Sequence, residues 1–294
     1  MELMAQSSPA TVAAPVLSLS MATTHEAVRD VQRLRYKVFV EQGGLSNLAN
    51  ADRLDRDEFD DYCDHLIVRD TGTHEAVGTY RVLNPAGACR IGRLYSESEF
   101  DLSGIDGLRS RVVEAGRACI APQYRSGAVI MQLWTGLASY MRQQRCDYLV
   151  GCASLGLEDG GLNAAEVYRG LAAKHLAPVE YRVTPHVPFP THRYGTTGLY
   201  VVPPLLKGYL RSGAWLCGEP AWDPAFNCAD LFLLLRLSNM DARYARRYFA
   251  ENHPPHADSA CALNAGGAFR ASFMQREGPP CGDKPASLFR TVPQ

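Results

Sequence analysis

Val112-Val113-Glu114-Ala115-Gly116-Arg117-Ala118-Cys119-Ile120, followed by Gln123-Tyr124-Arg125-Ser126-Gly127-Ala128 and a long segment of helical periodicity, decides how the rest of the chain is read. The first part is a buried strand that carries one acid and one base. The second is a tight turn, and the third opens a helix. A helix start presents unpaired backbone N–H groups and the positive end of the helix dipole, so it attracts anions. A glutamate on the preceding strand places a proton acceptor beside whatever the anion is attached to. Residues three apart on a strand point to opposite faces, so Glu114 and Arg117 share a site only if the strand bulges, and Gly116 is the natural place for a bulge.

Outward from this stretch the pattern alternates. Glu26 to Val40 has helical spacing, with Val28, Val31, Leu34, Val38 and Phe39 apolar. An acidic loop runs from Asp52 to Asp61. His65–Arg69 and Ala76–Leu83 read as strands joined through the turn Asp70-Thr71-Gly72. A helix is expected over Val129–Gln144, with Leu133, Leu137, Tyr140 and Met141 on one face. Tyr148–Ala153 reads as a strand and Asn163–His175 as a helix with Asn163 as its cap. Val179–Val183 reads as a short strand, Pro204–Ser212 as a helix and Ala229–Leu237 as a final buried strand. Strands that first run together and then alternate with helices predict an α/β fold, a mixed central sheet flanked by helices.

The ends differ from this middle. Residues 1–20 are rich in Ala, Ser and Pro and are expected to be disordered, and residues 253–294 to form a loose tail. The domain itself is expected over 21–252.

Composition narrows the classes. A chain of 294 residues with 46% apolar and 21% charged residues can bury a sizeable core. The net charge of -1 argues against a nucleic-acid binder held by general electrostatics. Nine cysteines without CxxC or Cys/His spacing indicate neither a zinc site nor a disulfide frame, and a reducing compartment is expected. Met1–Ser20 has no basic n-region, and no segment approaches the ~18 apolar residues of a membrane span. A cytoplasmic protein is expected.

Several side chains could carry chemistry. Gln123, Arg125, Ser126, Gly127 and Ala128 form the candidate phosphate cradle. They fit the Q/R-x-x-G-x-G/A loop of the GNAT acyltransferase fold at its first and last positions, with Ser126 where a Gly is usual. Glu114 could accept a proton from an amine while Arg117 binds an anion. The acidic loop Asp55-Arg56-Asp57-Glu58-Phe59-Asp60-Asp61 reads most simply as a solvated charge run, yet it leads directly into a core strand and would suit a cationic amino substrate. His65 is a structural histidine or a second proton acceptor. Arg35 and Arg81 are surface residues or buried partners of Asp57 or Asp60.

In order and rough spacing, Arg35 with Phe39, Asp57-Glu58-Phe59-Asp60, Gly78-Thr79-Tyr80-Arg81 and Glu114-Ala115-Gly116-Arg117 resemble the acyl-homoserine-lactone synthases. The chain lacks the Trp those enzymes carry shortly after Phe39, and it runs much further at its C-terminus. There Pro203–Leu210, Gly218–Asp223 and Phe226–Phe232 resemble a sister family, the bacterial ornithine–acyl carrier protein N-acyltransferases. So does Asp64-His65-Leu66-Ile67-Val68. The resemblance covers roughly residues 25–250.

This resemblance implies a GNAT-like fold and an enzyme that acylates the α-amine of ornithine. The donor it implies is a 3-hydroxyacyl thioester on acyl carrier protein, and the product is lyso-ornithine lipid. The implied catalytic residues are Glu114, Arg117, Asp57 and Asp60. Arg35, Phe39, His65 and Arg81 are implied to bind substrate, and the Gln123–Ala128 turn to bind the phosphopantetheine phosphate. The resemblance implies no metal and no cofactor beyond that thioester, and a lipid product implies a position at the membrane surface. Three alternatives stay open: acylation of another amino acid, an acyl-homoserine-lactone-type signal synthase, and a carrier- or lipid-binding module without catalysis.

Overall fold

In a computed structural model, residues 15–240 are described, together with Arg243 and Arg246. The elements are strands β1 (Leu17–Met21), β2 (Asp64–Asp70), β3 (Ala76–Leu83), β4 (Phe100–Asp101), β5 (Val112–Ile120), β6 (Tyr148–Gly156), β7 (Thr184–Pro185), β8 (Trp215–Leu216), β9 (Ala221–Asp223) and β10 (Cys228–Arg236). The helices are α1 (His25–Tyr36), α2 (Pro85–Ile91), α3 (Ala128–Gln143), α4 (Leu162–His175) and α5 (Pro204–Arg211). The main sheet has the order β1-β2-β3-β5-β6-β10-β8, with β9 on the edge of β10. All its pairs are antiparallel except β5 with β6. This is the mixed sheet the alternating pattern predicts.

Helix α3 lies on one face. Its Leu133, Leu137, Tyr140 and Met141 are buried against Leu66, Val68, Tyr80 and Val82 of the hairpin β2–β3. Helix α1 covers the other side, where Leu34 packs with Cys119 and Ala121. Thr24 caps α1 by accepting from the Ala27 N–H. The helix then continues through a wider π-type turn, Lys37–Gln42, which carries Phe39. Helices α4 and α5 bury Ala164, Val167, Leu206 and Leu210 against Leu231 and Leu233 of β10.

The strand pair β5–β6 positions the site. Its ladder joins Val112–Glu114 to Tyr148–Val150 and stops there. Beyond that point the strands diverge, and the backbone of both edges opens onto a groove. On its other side β5 bulges against β3. Thr79 pairs with Cys119 but Arg81 with Gly116, so Arg117 and Ala118 together oppose Tyr80. Arg117 takes the left-handed conformation at φ 50, one residue after the glycine expected to bulge. Facing parity flips as a result. Val113 and Ala115 pack toward α3 before the bulge, and Ala118 and Ile120 do so after it.

Three expectations need correction. Residues 17–20 belong to β1, whose Leu-Ser alternation turns Leu17, Leu19 and Met21 into the core under α3, so the N-terminal boundary at residue 20 is wrong. Helix α4 starts from Gly161 in the left-handed conformation rather than from an Asn163 cap. The Asn163 side chain instead bonds the Val201 backbone at N–H and C=O. Val179–Tyr181 is a 3-10 turn, closed by the Tyr181 N–H on the Pro178 carbonyl and too exposed to join the sheet. The tail 253–294 lies outside the described residues. Six cysteines (63, 119, 146, 152, 217 and 228) are free thiols, while Cys89 is disulfide-bonded. Among the described residues, no helix is long and apolar enough to cross a membrane.

Candidate active site

Because of the bulge, Glu114 and Arg117 line one cavity, together with Phe59, Arg81, Tyr95, Ser96 and Glu99. Glu114 is buried in the strand. Its Oε1 accepts from the Ser96 N–H at 2.9 Å and the Ser96 hydroxyl at 2.6 Å, and its Oε2 from the Tyr95 N–H at 2.6 Å. A carboxylate offers about four lone-pair sites, so these three donors leave one of them open. Burial raises the Glu114 pKa, and the donors from Ser96 and Tyr95 only partly offset it. The carboxyl is held rigidly and is more basic than that of an exposed glutamate.

Arg117 is clamped between rings, 4.7 Å from the Phe226 centroid and 5.3 Å from that of Tyr95. Its Nη2 lies 3.2 Å from Asp57 and its Nε 3.6 Å from Asp55. Arg81 donates to Asp57 at 2.6 Å and to Asp60 at 3.0 Å. Arg35, fully buried, pairs with Asp55 at 2.7 Å and Asp60 at 2.7 Å. Three arginines and three aspartates thus form one network that reaches the cavity through Arg81 and Arg117 and continues behind its wall. Asp57 and Asp60 also form a capping box over residues 58–61, which locks the loop. The loop that as a bare charge run would be solvated is therefore an ion-pair frame, with Arg35 and Arg81 as buried partners of its aspartates. Against burial, Arg35 and Arg81 hold the Asp60 carboxyl far below its ordinary range.

Of the expected site residues, Glu114, Arg117 and Arg81 reach this cavity. Asp57, Asp60, Arg35 and His65 do not line it; they lie behind it. His65 is 2% exposed, with its Nε2 3.7 Å from Asp60. Burial pushes its pKa down to about 4, so it is neutral at neutral pH. Phe39 lines the groove that opens between the diverging strands, along with Ala115–Ala118, Gly151–Ser154, Leu205, Leu206 and Tyr209. Cavity and groove share Ala115, Gly116, Arg117, Gly151, Cys152, Ser154 and Phe226, so a ligand can run from one into the other. The groove holds about 360 Å³ against about 90 Å³ for the cavity, which assigns the bulkier part of a ligand to the groove.

The turn Gln123–Ala128 lies in neither space. Residues 122–124 form a 3-10 turn, and Gly127 starts α3 in the left-handed conformation with no side-chain cap. The first N–H groups of α3 therefore face the turn without a side-chain acceptor, which is the condition for anion binding. Arg125 curls back to the Ile120 carbonyl at 3.2 Å.

Sequence reading missed the acidic side of the cavity, formed by Glu99, Asp223 and Asp230. Asp230 does carry a signal, as a lone charge in an otherwise apolar strand. Glu99 and Asp223 carry none, since folding alone brings their segments together. Asp223, Cys228 and Asp230 present ligand atoms within 4.8 Å of one another, a spacing that a cation can use.

The acetyltransferase (GNAT) domain model matches residues 34–135, from Arg35 through the phosphate-type turn into α3. The L-ornithine N(alpha)-acyltransferase of Brucella abortus (strain 2308) is 32% identical over 256 residues, covering 80% of this chain and 89% of that protein. That of Rhodobacter capsulatus is 34% identical over 261 residues, covering 80% of this chain and 96% of its own length. The chain belongs to the L-ornithine N(alpha)-acyltransferase family. Among solved structures, the CoA-dependent acyl-homoserine lactone synthase BjaI superposes with a TM-score of 0.50 at 15% identity, over 81% of this chain and 92% of that one. That likeness is one of fold. In this member of the L-ornithine N(alpha)-acyltransferase family, the GNAT-matching part supplies Glu99, Glu114, Arg117 and the turn. Asp223 and Asp230 come from strands beyond it.

Proposed function

We propose that this chain is an N-acyltransferase that moves a 3-hydroxyacyl group from the phosphopantetheine thioester of acyl carrier protein to the α-amine of ornithine, giving lyso-ornithine lipid. One observation carries the proposal. A buried, donor-held glutamate and an arginine share a small polar cavity that opens into a larger, mostly apolar groove. The relatives named for this activity support the choice of amino acid.

The chemistry then follows. An ammonium has no lone pair, so Glu114, directly or through a water, takes a proton from the α-ammonium. The amine nitrogen attacks the thioester carbonyl carbon. The C–N bond forms, the nitrogen gives up a second proton as the C–S bond breaks, and the departing pantetheine thiolate takes that proton, while the first passes from Glu114 to solvent. Backbone N–H groups at the split between β5 and β6 polarise the carbonyl. Arg117 binds the carboxylate of the amino acid. The open N-terminus of α3 holds the pantetheine phosphate, with Gln123–Ala128 around it. Arg35, Asp57, Asp60 and Arg81 act as positioning residues that hold Arg117 and the wall in place. The acyl chain lies in the groove along Phe39, Leu205 and Tyr209. A long-chain product leaves such a groove for a lipid surface, so a peripheral position on the inner membrane face is part of the proposal.

Mass spectrometry of lipids from a bacterial host expressing the chain tests this reading. A new 3-hydroxyacyl-ornithine species is expected, and its absence, or an adduct of another amino acid, overturns the choice of ornithine. With purified protein and acyl-loaded carrier, Glu114→Gln is expected to lower kcat by about 10²–10⁴-fold. Turnover close to wild type would remove Glu114 from its role as base.

A further inference from the structure

Among the described residues, the acidic wall of the cavity forms no ion pair. Arg35, Arg81 and Arg117 are matched by Asp55, Asp57 and Asp60. Glu99, Glu114, Asp223 and Asp230 form no salt bridge among the described residues, yet all four line the same cavity. Glu114 is stabilised by its three donors, and Asp223 Oδ1 accepts from the Ala225 and Phe226 N–H groups. Glu99 and Asp230 are different. Asp230 is only 3% exposed; Ser154 and the Cys228 thiol, the latter at 3.4 Å from Oδ2, bond its side chain, and its buried Oδ1 lies toward Glu99 with no cationic donor. Glu99 Oε2 is likewise buried without a donor. Leaving a buried acceptor unmet is costly, and leaving a buried charge unmet costs more.

We propose that Glu99 and Asp230 form a recognition site for a primary alkylammonium, the distal ammonium of a diamino acid whose α-amine is presented to Glu114. The inference rests on the acyl-transfer reading above and deepens it by naming what selects the substrate. An ammonium brings three N–H donors, enough for Asp230 Oδ1, Glu99 Oε2 and one further acceptor. It also brings the positive charge that the wall lacks. An amino acid with a neutral side chain would leave both carboxylates as they are.

The titration of the pair agrees with this geometry. Burial first, then the charge of Asp230, pushes the Glu99 carboxyl up to about 9, and burial raises Asp230 as well. The two carboxylates hold a proton between them at neutral pH, which meets the need only in part. Position supports the assignment too. Arg117 and the acidic pair both line the cavity, offering an anion site and a cation site to a single zwitterionic ligand carrying one extra ammonium.

Calorimetry on the full chain with L-ornithine, and with L-norvaline, which has the same carbon skeleton without the distal amine, tests the proposal without turnover. Ornithine is expected to bind at least about 30-fold more tightly than norvaline, the factor a charge-assisted hydrogen-bond set supplies. Asp230→Asn is expected to abolish that ratio and leave norvaline affinity unchanged. Glu99→Gln serves as a second variant; each removes one of two competing buried carboxylates, so neither is expected to lower Tm. Equal affinity of wild type for the two amino acids overturns the proposal, as does a ratio that survives in both variants. Competition between ornithine and added Mn²⁺ or Zn²⁺ that is lost in Asp230→Asn would reassign the cluster to a metal and also overturn it. Acyl transfer from loaded carrier protein, assayed in parallel, judges the underlying reading separately. Discrimination in binding without transfer would sink that reading and spare the cation site.

Discussion

At the scale of single residues, the network behind the cavity does two jobs. It neutralises three buried or half-buried arginines and fixes the wall on which Arg117 and Glu114 meet in the cavity. Arg35 sits at the centre of this, with no exposure and two aspartates. Removing one partner of a buried pair leaves the other charge unmet, so Asp60→Ala is expected to destabilise the fold by about 3–5 kcal/mol in denaturant titrations. His65 allows a pH test. Its folded pKa of about 4 lies below the unfolded value of about 6.5, so the unfolded chain binds the proton first as pH falls. Stability is therefore full above about 6.5 and drains as pH falls toward 4, by about 3 kcal/mol over the window. The difference in stability between wild type and His65→Gln, measured by denaturant unfolding across that range, should change by this amount. A flat difference would show that His65 titrates normally.

At the scale of elements, the departure of β6 from β5 opens the groove. The strands are parallel neighbours only as far as Glu114 and Val150, and a glycine stands where they begin to separate. A Cβ on Gly151 would lie 2.2 Å from the Ala115 carbonyl oxygen, which is backbone and cannot turn aside. Gly151→Ala is expected to cost about 1–3 kcal/mol of stability. It should also raise the KM for the acyl donor more than that for the amino acid, because the split lines the groove. Equal effects on both would place the donor elsewhere. The bulge in β5 is a second such device. It reverses the facing of the strand at Arg117 and so turns two side chains of unlike parity into one cavity.

At the scale of the whole molecule, the GNAT-matching part and the C-terminal strands build the site together. Helix α5 closes the far side of the groove, and the Tyr209 hydroxyl bonds that of Tyr80 on β3, tying that helix to the first half of the chain. Leu205 is half-buried and lines the groove, whereas Leu210 on the same helix is core. Leu205→Trp is expected to shift acyl preference toward shorter chains while leaving stability close to wild type. This is read by competition between carrier proteins loaded with long and short chains. Unchanged preference would move the acyl chain out of this groove.

Much of this was legible in the residues themselves. Periodicity located β5, α3 and the strands of the sheet, because one-sided burial imposes its period on sequence. Motif spacing singled out Glu114, Arg117, Arg81 and the helix-start turn, because local chemistry needs fixed residue types at short range. Whether Glu114 and Arg117 share a face depended on a bulge one residue from the glycine that hinted at it, and bulges arise from the partner strand's register. Whether the acidic loop was solvated or buried depended on which arginines arrived from α1, β3 and β5. The acidic wall depended most on folding. Glu99 stands far in the chain from the hairpin that carries Asp223 and Asp230, and only the tertiary structure brings all three to one cavity, where among the described residues no ion pair meets them, since charge compensation is a property of space rather than of sequence distance.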